Sequence, residues 1–329
     1  MEGIKMPAVV ETMFYQGKLP WHGEGIKIPD GKILSVSEGL EAAGLDWDVS
    51  LRPLMTVAKA VEDRDLDKEF VPNVGHRAVV RESDQSMLGV VGPAYHALQN
   101  MKAFEWFQPF LDAELCSLHT AGSLFDGKKI WVLAQINSDP TVIRKNDEVA
   151  KFIMLSNSHD GTSSVRVGYT PIRVVCANTL AMTTKSSGSQ LLRVRHTSGM
   201  NVTLDGIRDI MNVANQTFEA TAEKYQWLAT RSIAASDLRK YVKVVMGFGK
   251  IDDKDMKTKG KNICDAVIRM ATAGLGNNGS TYWDVYNGAT EYMNHKQGRN
   301  ESSRLNSLWF GTNMKSNKEA LDLALEMAE

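Results

Sequence analysis

The sequence predicts an α+β fold: an antiparallel sheet built from hairpins with a packed helix, followed by a mostly helical C-terminal part. Three observations predict it. Short apolar runs alternate with turn signals as far as about residue 200. From Asp205 onward the apolar residues recur at helical spacing instead. The composition, 43% hydrophobic and 23% charged over 329 residues, is that of a globular chain able to bury a core. The reading divides the chain into an irregular N-terminal segment (1–75), an α+β core (76–200) and a helical region (201–329).

The elements follow in order. Residues 36–43 predict a short helix capped by Ser35 or Ser37 and ended by Gly44. Residues 45–54 alternate like a strand that stops at Pro53. Two apolar runs, 76–82 and 86–92, flank Ser83–Asp84–Gln85 as a hairpin. Leu98 to Leu111 has helical spacing, with Phe104, Phe107 and Leu111 on one side. Residues 115–122 and 129–136 form strands around Asp126–Gly127, a tight-turn signal. Residues 150–157 and 163–169 form another hairpin around His159–Asp160–Gly161. Thr170–Pro171 then reads as an N-cap followed by proline, opening a buried helix from Ile172 to Met182. Residues 190–196 return to strand alternation. Helices are expected at 205–229, from Ser236, and at 263–273, 282–293 and 315–327. The charged stretch 249–262 reads as a solvated connection.

The charge distribution carries the functional reading. Lys+Arg (38) and Asp+Glu (39) nearly cancel, so no global attraction to a polyanion exists. Yet residues 161–204 contain no acid, while they hold Arg166, Arg173, Lys185, Arg193 and Arg195. Uncompensated cations beside a flat side chain, Tyr169, suit a single-stranded nucleic acid. Arg193 and Arg195 flank Val194 and so share a strand face. The competing expectation pairs these arginines with acids elsewhere, such as Glu219, Glu223 or Asp237.

Other chemistries find less support. His159 as base, Asp160 beside it, Cys176 as nucleophile and Asn178 as orienting group would make an enzyme site, but Cys176 sits in an apolar run and Asp160–Gly161 serves a turn. The seven histidines are scattered singly, so neither a metal nor another cofactor is expected. Gly274 to Gly279 superficially matches GxGxxG but follows a helix, which reads as a C-cap and turn. Three distant cysteines without a CxxC pair fit a reduced cytoplasm. The opening residues have no apolar run for a signal peptide, and no stretch is long enough to span a membrane. The aromatic pattern Tyr282, Trp283, Tyr286 reads as core or subunit interface.

Four segments together carry a resemblance. They are Pro20–Trp21–His22–Gly23, His159–Asp160–Gly161, the run from Thr170 through Cys176 and Asn178 to Leu180, and the 282–295 helix. In that order they resemble the phage/plasmid-like family catalogued as domain of unknown function DUF 932. The resemblance implies a protein carried by mobile elements, and it assigns no catalytic residue. Hairpins, a central helix and a basic groove are also similar in architecture to the RecT, Erf and Red-beta single-strand annealing proteins. The expectation is a homo-oligomeric DNA-metabolism protein that binds single-stranded DNA without a chemical step. The alternatives are a nucleotide- or nucleic-acid-processing enzyme and a phage protein that contacts host defence.

Overall fold

The computed structural model describes residues 10–17, 25–57, 70–174, 178–179, 192–298 and 301–329. Pro20–Trp21–His22–Gly23, Cys176 and Lys185 lie outside them. In chain order the elements begin with β1 (Val10–Tyr15), β2 (Ile26–Lys27), α1 (Val36–Ala42), β3 (Val49–Val57), β4 (Phe70–Arg81) and β5 (Met87–Val91). Then come α2 (Asn100–Glu105), α3 (Gln108–Asp112), β6 (Cys116–Leu124), β7 (Lys129–Ile136), β8 (Thr141–Arg144), β9 (Asp147–Ser158), β10 (Val165–Arg173), β11 (Asn178–Thr179) and β12 (Leu192–Val194). Six helices complete the described chain: α4 (Met200–Thr230), α5 (Ala235–Val245), α6 (Thr258–Ala273), α7 (Tyr282–His295), α8 (Glu301–Phe310) and α9 (Thr312–Ala328).

The expected α+β class is what forms. The main sheet runs β11-β10-β9-β7-β6-β1-β2, with β12 on β10 and β8 on β9. All its pairings are antiparallel except β1 with β2. A second sheet, β3-β4-β5, is wholly antiparallel. The three hairpins read from turn residues are β4–β5, β6–β7 and β9–β10. At the β6–β7 turn the chain goes through Phe125, Asp126 and Gly127 with φ of 57°, 56° and 80°. Only the last of these is a glycine, which takes that region without a Cβ penalty.

Local chemistry sets the ends. Ser35 Oγ accepts from Glu38 N–H while the Glu38 carboxylate accepts from Ser35 N–H, a capping box that starts α1. Thr281 and Asp284 make the same box at α7. The helix expected over 98–111 is two short ones, because Trp106 and Phe107 end α2 and Pro109 opens α3.

Three expectations need correction. Where an irregular segment is expected up to residue 75, the described residues supply β1, β2, α1, β3 and half of β4. The strand at Val49 passes through Pro53, where the β3–β4 register shifts instead of ending. The helix expected from Ile172 is not formed there: Thr170, Pro171, Ile172 and Arg173 continue β10 against Phe152, Lys151, Ala150 and Val149 of β9. Pro171 falls between the residues of β10 that pair with β12 (165–167) and those that pair with β11 (172–173). A missing N–H costs least in that gap.

The two faces of the main sheet differ. One face contributes Ile130, Val132, Ala134, Ile153, Leu155, Val167 and Tyr169 to a core shared with α1, α2, α4 and α7. The other gathers Met13, Tyr15, Trp131, Leu133, Phe152 and Met154 into a smaller core under Trp309 of α8. Trp131 and Trp309 have ring centroids 5.6 Å apart.

Candidate nucleic-acid interface

Strand parity sorts the expected cations. Arg173 and Tyr169 face the larger core, whereas Arg166 faces the smaller one, because odd and even positions of a strand point opposite ways. Arg166 therefore does not share a groove with Arg173 and Tyr169.

Arg173 is wholly buried and is corrected from phosphate ligand to structural joint. Its Nε donates to Asp147 Oδ1 at 2.7 Å and an Nη to Oδ2 at 2.5 Å. The remaining donors reach Leu275 O at 3.1 Å, Gly276 O at 3.0 Å and Asn277 Oδ1 at 2.9 Å. Trp283 Nε1 donates to the same Asp147 Oδ2 at 2.8 Å, and its ring lies 5.5 Å from the guanidinium. Arg144 adds bonds to Asp284 and to Gly276 O, both at 2.5 Å. Burial works against the charged Asp284, yet Arg144, Thr281 and the Asn278 N–H hold its carboxyl below the ordinary range. The glycine-rich turn at 274–279 is thus a carbonyl receptor for two arginines of the sheet, which settles it as a turn rather than a phosphate loop.

Tyr169 is also corrected. It is 8% exposed within the core, and burial raises its hydroxyl pKa, so it presents no flat surface to a base.

On the opposite face a row of positive charge crosses the sheet. Arg166 sits directly across from Arg193 on β12 and from Ser156 on β9, and Ser156 pairs in turn with Trp131. Lys129 is two residues along the same face of β7. Burial, then Arg193, pulls the Arg166 guanidinium down. Lys129 is pulled down by burial too, with Arg166 adding to the effect and Asp160 opposing it. Lys129 Nζ donates to Asn306 Oδ1 at 2.9 Å, so α8 covers that end of the row. The β12 end is open. Arg193 and Arg195 are exposed on either side of the buried Val194, and among the described residues neither lies within ion-pair distance of a carboxylate. Glu219, an expected partner for these arginines, pairs with Lys151. Sequence reasoning missed Lys129, because it lies outside the acid-free run and only strand register brings it into the row.

The His159 turn has a different use. Asn100 Nδ2 donates to Leu45 O and Trp47 O, both at 3.1 Å, which leaves its Oδ1 to accept. His159 Nε2 lies 2.9 Å from that oxygen and so carries the proton. Nδ1 is then bare, buried and, among the described residues, without a hydrogen-bond partner. Burial, then the neighbouring His196, lowers the imidazole to about 3, too weak a base to ionise a thiol at neutral pH. Asp160 does not orient it. Its Oδ1 accepts from Thr162 N–H at 2.9 Å, from Thr162 Oγ1 at 2.7 Å and from Ser158 Oγ, closing the turn. The turn is clamped from above, since a Cβ on Gly89 of β5 would lie 2.5 Å from Asp160 Cα. Asn178 is on β11, opposite Arg173 on β10. Cys116 and Cys264 are buried, and burial pushes the Cys116 thiol up to about 12. Among the described residues no three His, Cys, Asp or Glu side chains converge to hold a metal, and no helix is long and apolar enough to cross a membrane.

The family model described as Domain of unknown function (DUF932) matches residues 87–309. That range holds the β9–β10 hairpin, β12, the arginine receptor turn and α7, and the chain belongs to this family. No curated protein and no solved structure matches the chain.

Proposed function

We propose that this chain is a phage- or plasmid-borne DNA-metabolism protein that binds single-stranded DNA as a homo-oligomer in the bacterial cytoplasm. It serves annealing or recombination without a chemical step of its own. One observation carries the reading: Arg193 and Arg195 are exposed at the open end of a cation row that continues through Arg166 to Lys129. Phosphates would be neutralised there by counterion release, which needs accessible charge and no base-specific contact. Arg173 and Tyr169 take no part, and the contribution of Lys185 remains part of the proposal. An enzymatic role through His159, Asp160 and Cys176 is the weaker reading, because the imidazole is buried, poorly basic and committed to Asn100.

Fluorescence anisotropy with a labelled oligonucleotide tests the proposal. The wild-type chain binds at low salt, and Arg193→Ala combined with Arg195→Ala weakens binding while the circular dichroism spectrum is unchanged. Equal affinity in the double variant contradicts it.

A further inference from the structure

β12 lies on β10 through three pairs, Val165 with Val194, Arg166 with Arg193 and Val167 with Leu192. The three are unequal. Val194 is buried and belongs to the larger core together with Val165 and Val167. Just beyond it His196 fixes that end of the strand. Its Nδ1 donates to the His96 carbonyl at 3.1 Å, its own carbonyl accepts from His96 N–H at 3.1 Å, and its ring stacks on Tyr95 with centroids 4.5 Å apart. At the other end Leu192 is 40% exposed. The middle pair sets two arginines directly opposite each other on one face. Opposed residues of an antiparallel pair have Cβ atoms about 5 Å apart, and like charges there work against pairing.

Arg166 is buried, so water screens little of that repulsion. Its guanidinium is pulled down by burial and then by Arg193, in keeping with two cations held close. Arg193, the exposed member, has no carboxylate within ion-pair distance among the described residues, and residues 161–204 contain no acid to supply one. An anion at Arg193 relieves the repulsion only while β12 is docked, where it is attracted by Arg166 as well. It therefore favours the docked strand, and by reciprocity the docked strand binds the anion more tightly. We infer that phosphate binding at Arg193 and the pairing of β12 with β10 form one coupled equilibrium, so that a phosphate chain secures the strand that receives it. This rests on the β12 reading above and adds a conformational control to it.

Hydrogen exchange of the full chain, followed in the peptide covering Leu192 to Val194, tests the coupling. The probes are oligothymidylate and, separately, sodium phosphate, each compared with sodium chloride at equal ionic strength. Either anion at about ten times its Kd should slow exchange of β12 by up to about tenfold, the factor expected of a ligand that binds only the docked strand. Without any ligand, Arg193→Gln removes the opposed charge and should slow β12 exchange about two- to fivefold. In that variant the anions should add less. If phosphate protects β12 while oligothymidylate does not bind, the DNA reading falls and the coupling stands. The coupling is overturned if neither anion protects β12 beyond chloride. It is equally overturned if Arg193→Gln leaves basal exchange unchanged or faster, or if Arg195→Gln, beyond the ladder, slows it as much.

Discussion

At the scale of single residues, burial decides what each charge does. Arg173 and Arg193 come from the same acid-free run, yet one is sealed against Asp147 and the other is open. Removing one member of a buried, hydrogen-bonded ion pair leaves the other charge unpaired, so Arg173→Ala is expected to cost about 3–5 kcal/mol of stability. Urea unfolding measures this, and a loss below about 1 kcal/mol would contradict the joint role. The histidines give a pH signature. Burial lowers His119 to about 4 and His159 to about 3 from an ordinary 6.5. Both are therefore neutral when folded and take up protons on unfolding below 6.5. Their stabilising contribution is complete above that value and is lost as pH falls through 4 and then 3. The urea midpoint should drop between pH 7 and pH 5, and His159→Asn should flatten the decline. A midpoint independent of pH over that interval would rule the assignment out. The cations were legible in the sequence because charge survives translation into structure. Their burial was not, because Asp147 and the 275–277 carbonyls that enclose Arg173 are distant in the chain.

At the scale of elements, hairpins were legible wherever a turn carried its own chemistry, as at Asp126–Gly127 and Asp160–Gly161. The strand continuing past Pro171 was not. Thr-Pro is equally a helix start and an edge-strand pair, and only pairing with β9 selects the second. The β8 strand escaped notice because it is four residues long and gains its definition from β9. Parity along β10 was accessible in principle, since Arg166 and Arg173 are an odd number of residues apart. The second sheet bears on the proposed homo-oligomer. β5 pairs β4 only from Arg77 to Val80, so the β3–β4 arm from Leu54 to Val57 and Phe70 to Asn73 is two-stranded among the described residues. It exposes Met55 (48%), Val71 (44%) and, next to it, Val74 (93%). Two strands alone are marginal in water, so this arm is where the proposed homo-oligomer would be tested. Val71→Glu with Val74→Glu should lower the mass seen by light scattering to that of a single chain, with secondary structure retained. An unchanged mass would remove the arm from the interface.

At the scale of the whole molecule, the two hydrophobic cores that join the sheet to the C-terminal helices are reinforced by a buried polar joint, Asp147–Arg173–Trp283 with Arg144–Asp284 beside it. The acid-free middle of the chain thus serves two ends. Part of its charge fastens the helices to the sheet, and part remains outside on β12. Whether the outer part meets a phosphate chain is read from the salt dependence of oligonucleotide binding. On single strands each phosphate contact contributes a slope of about 0.7 in log affinity against log salt. Removing Arg193 and Arg195 together should reduce the slope by roughly 1.4 as well as weaken binding. A slope identical in wild type and double variant, or no binding by the wild type at low salt, would contradict it.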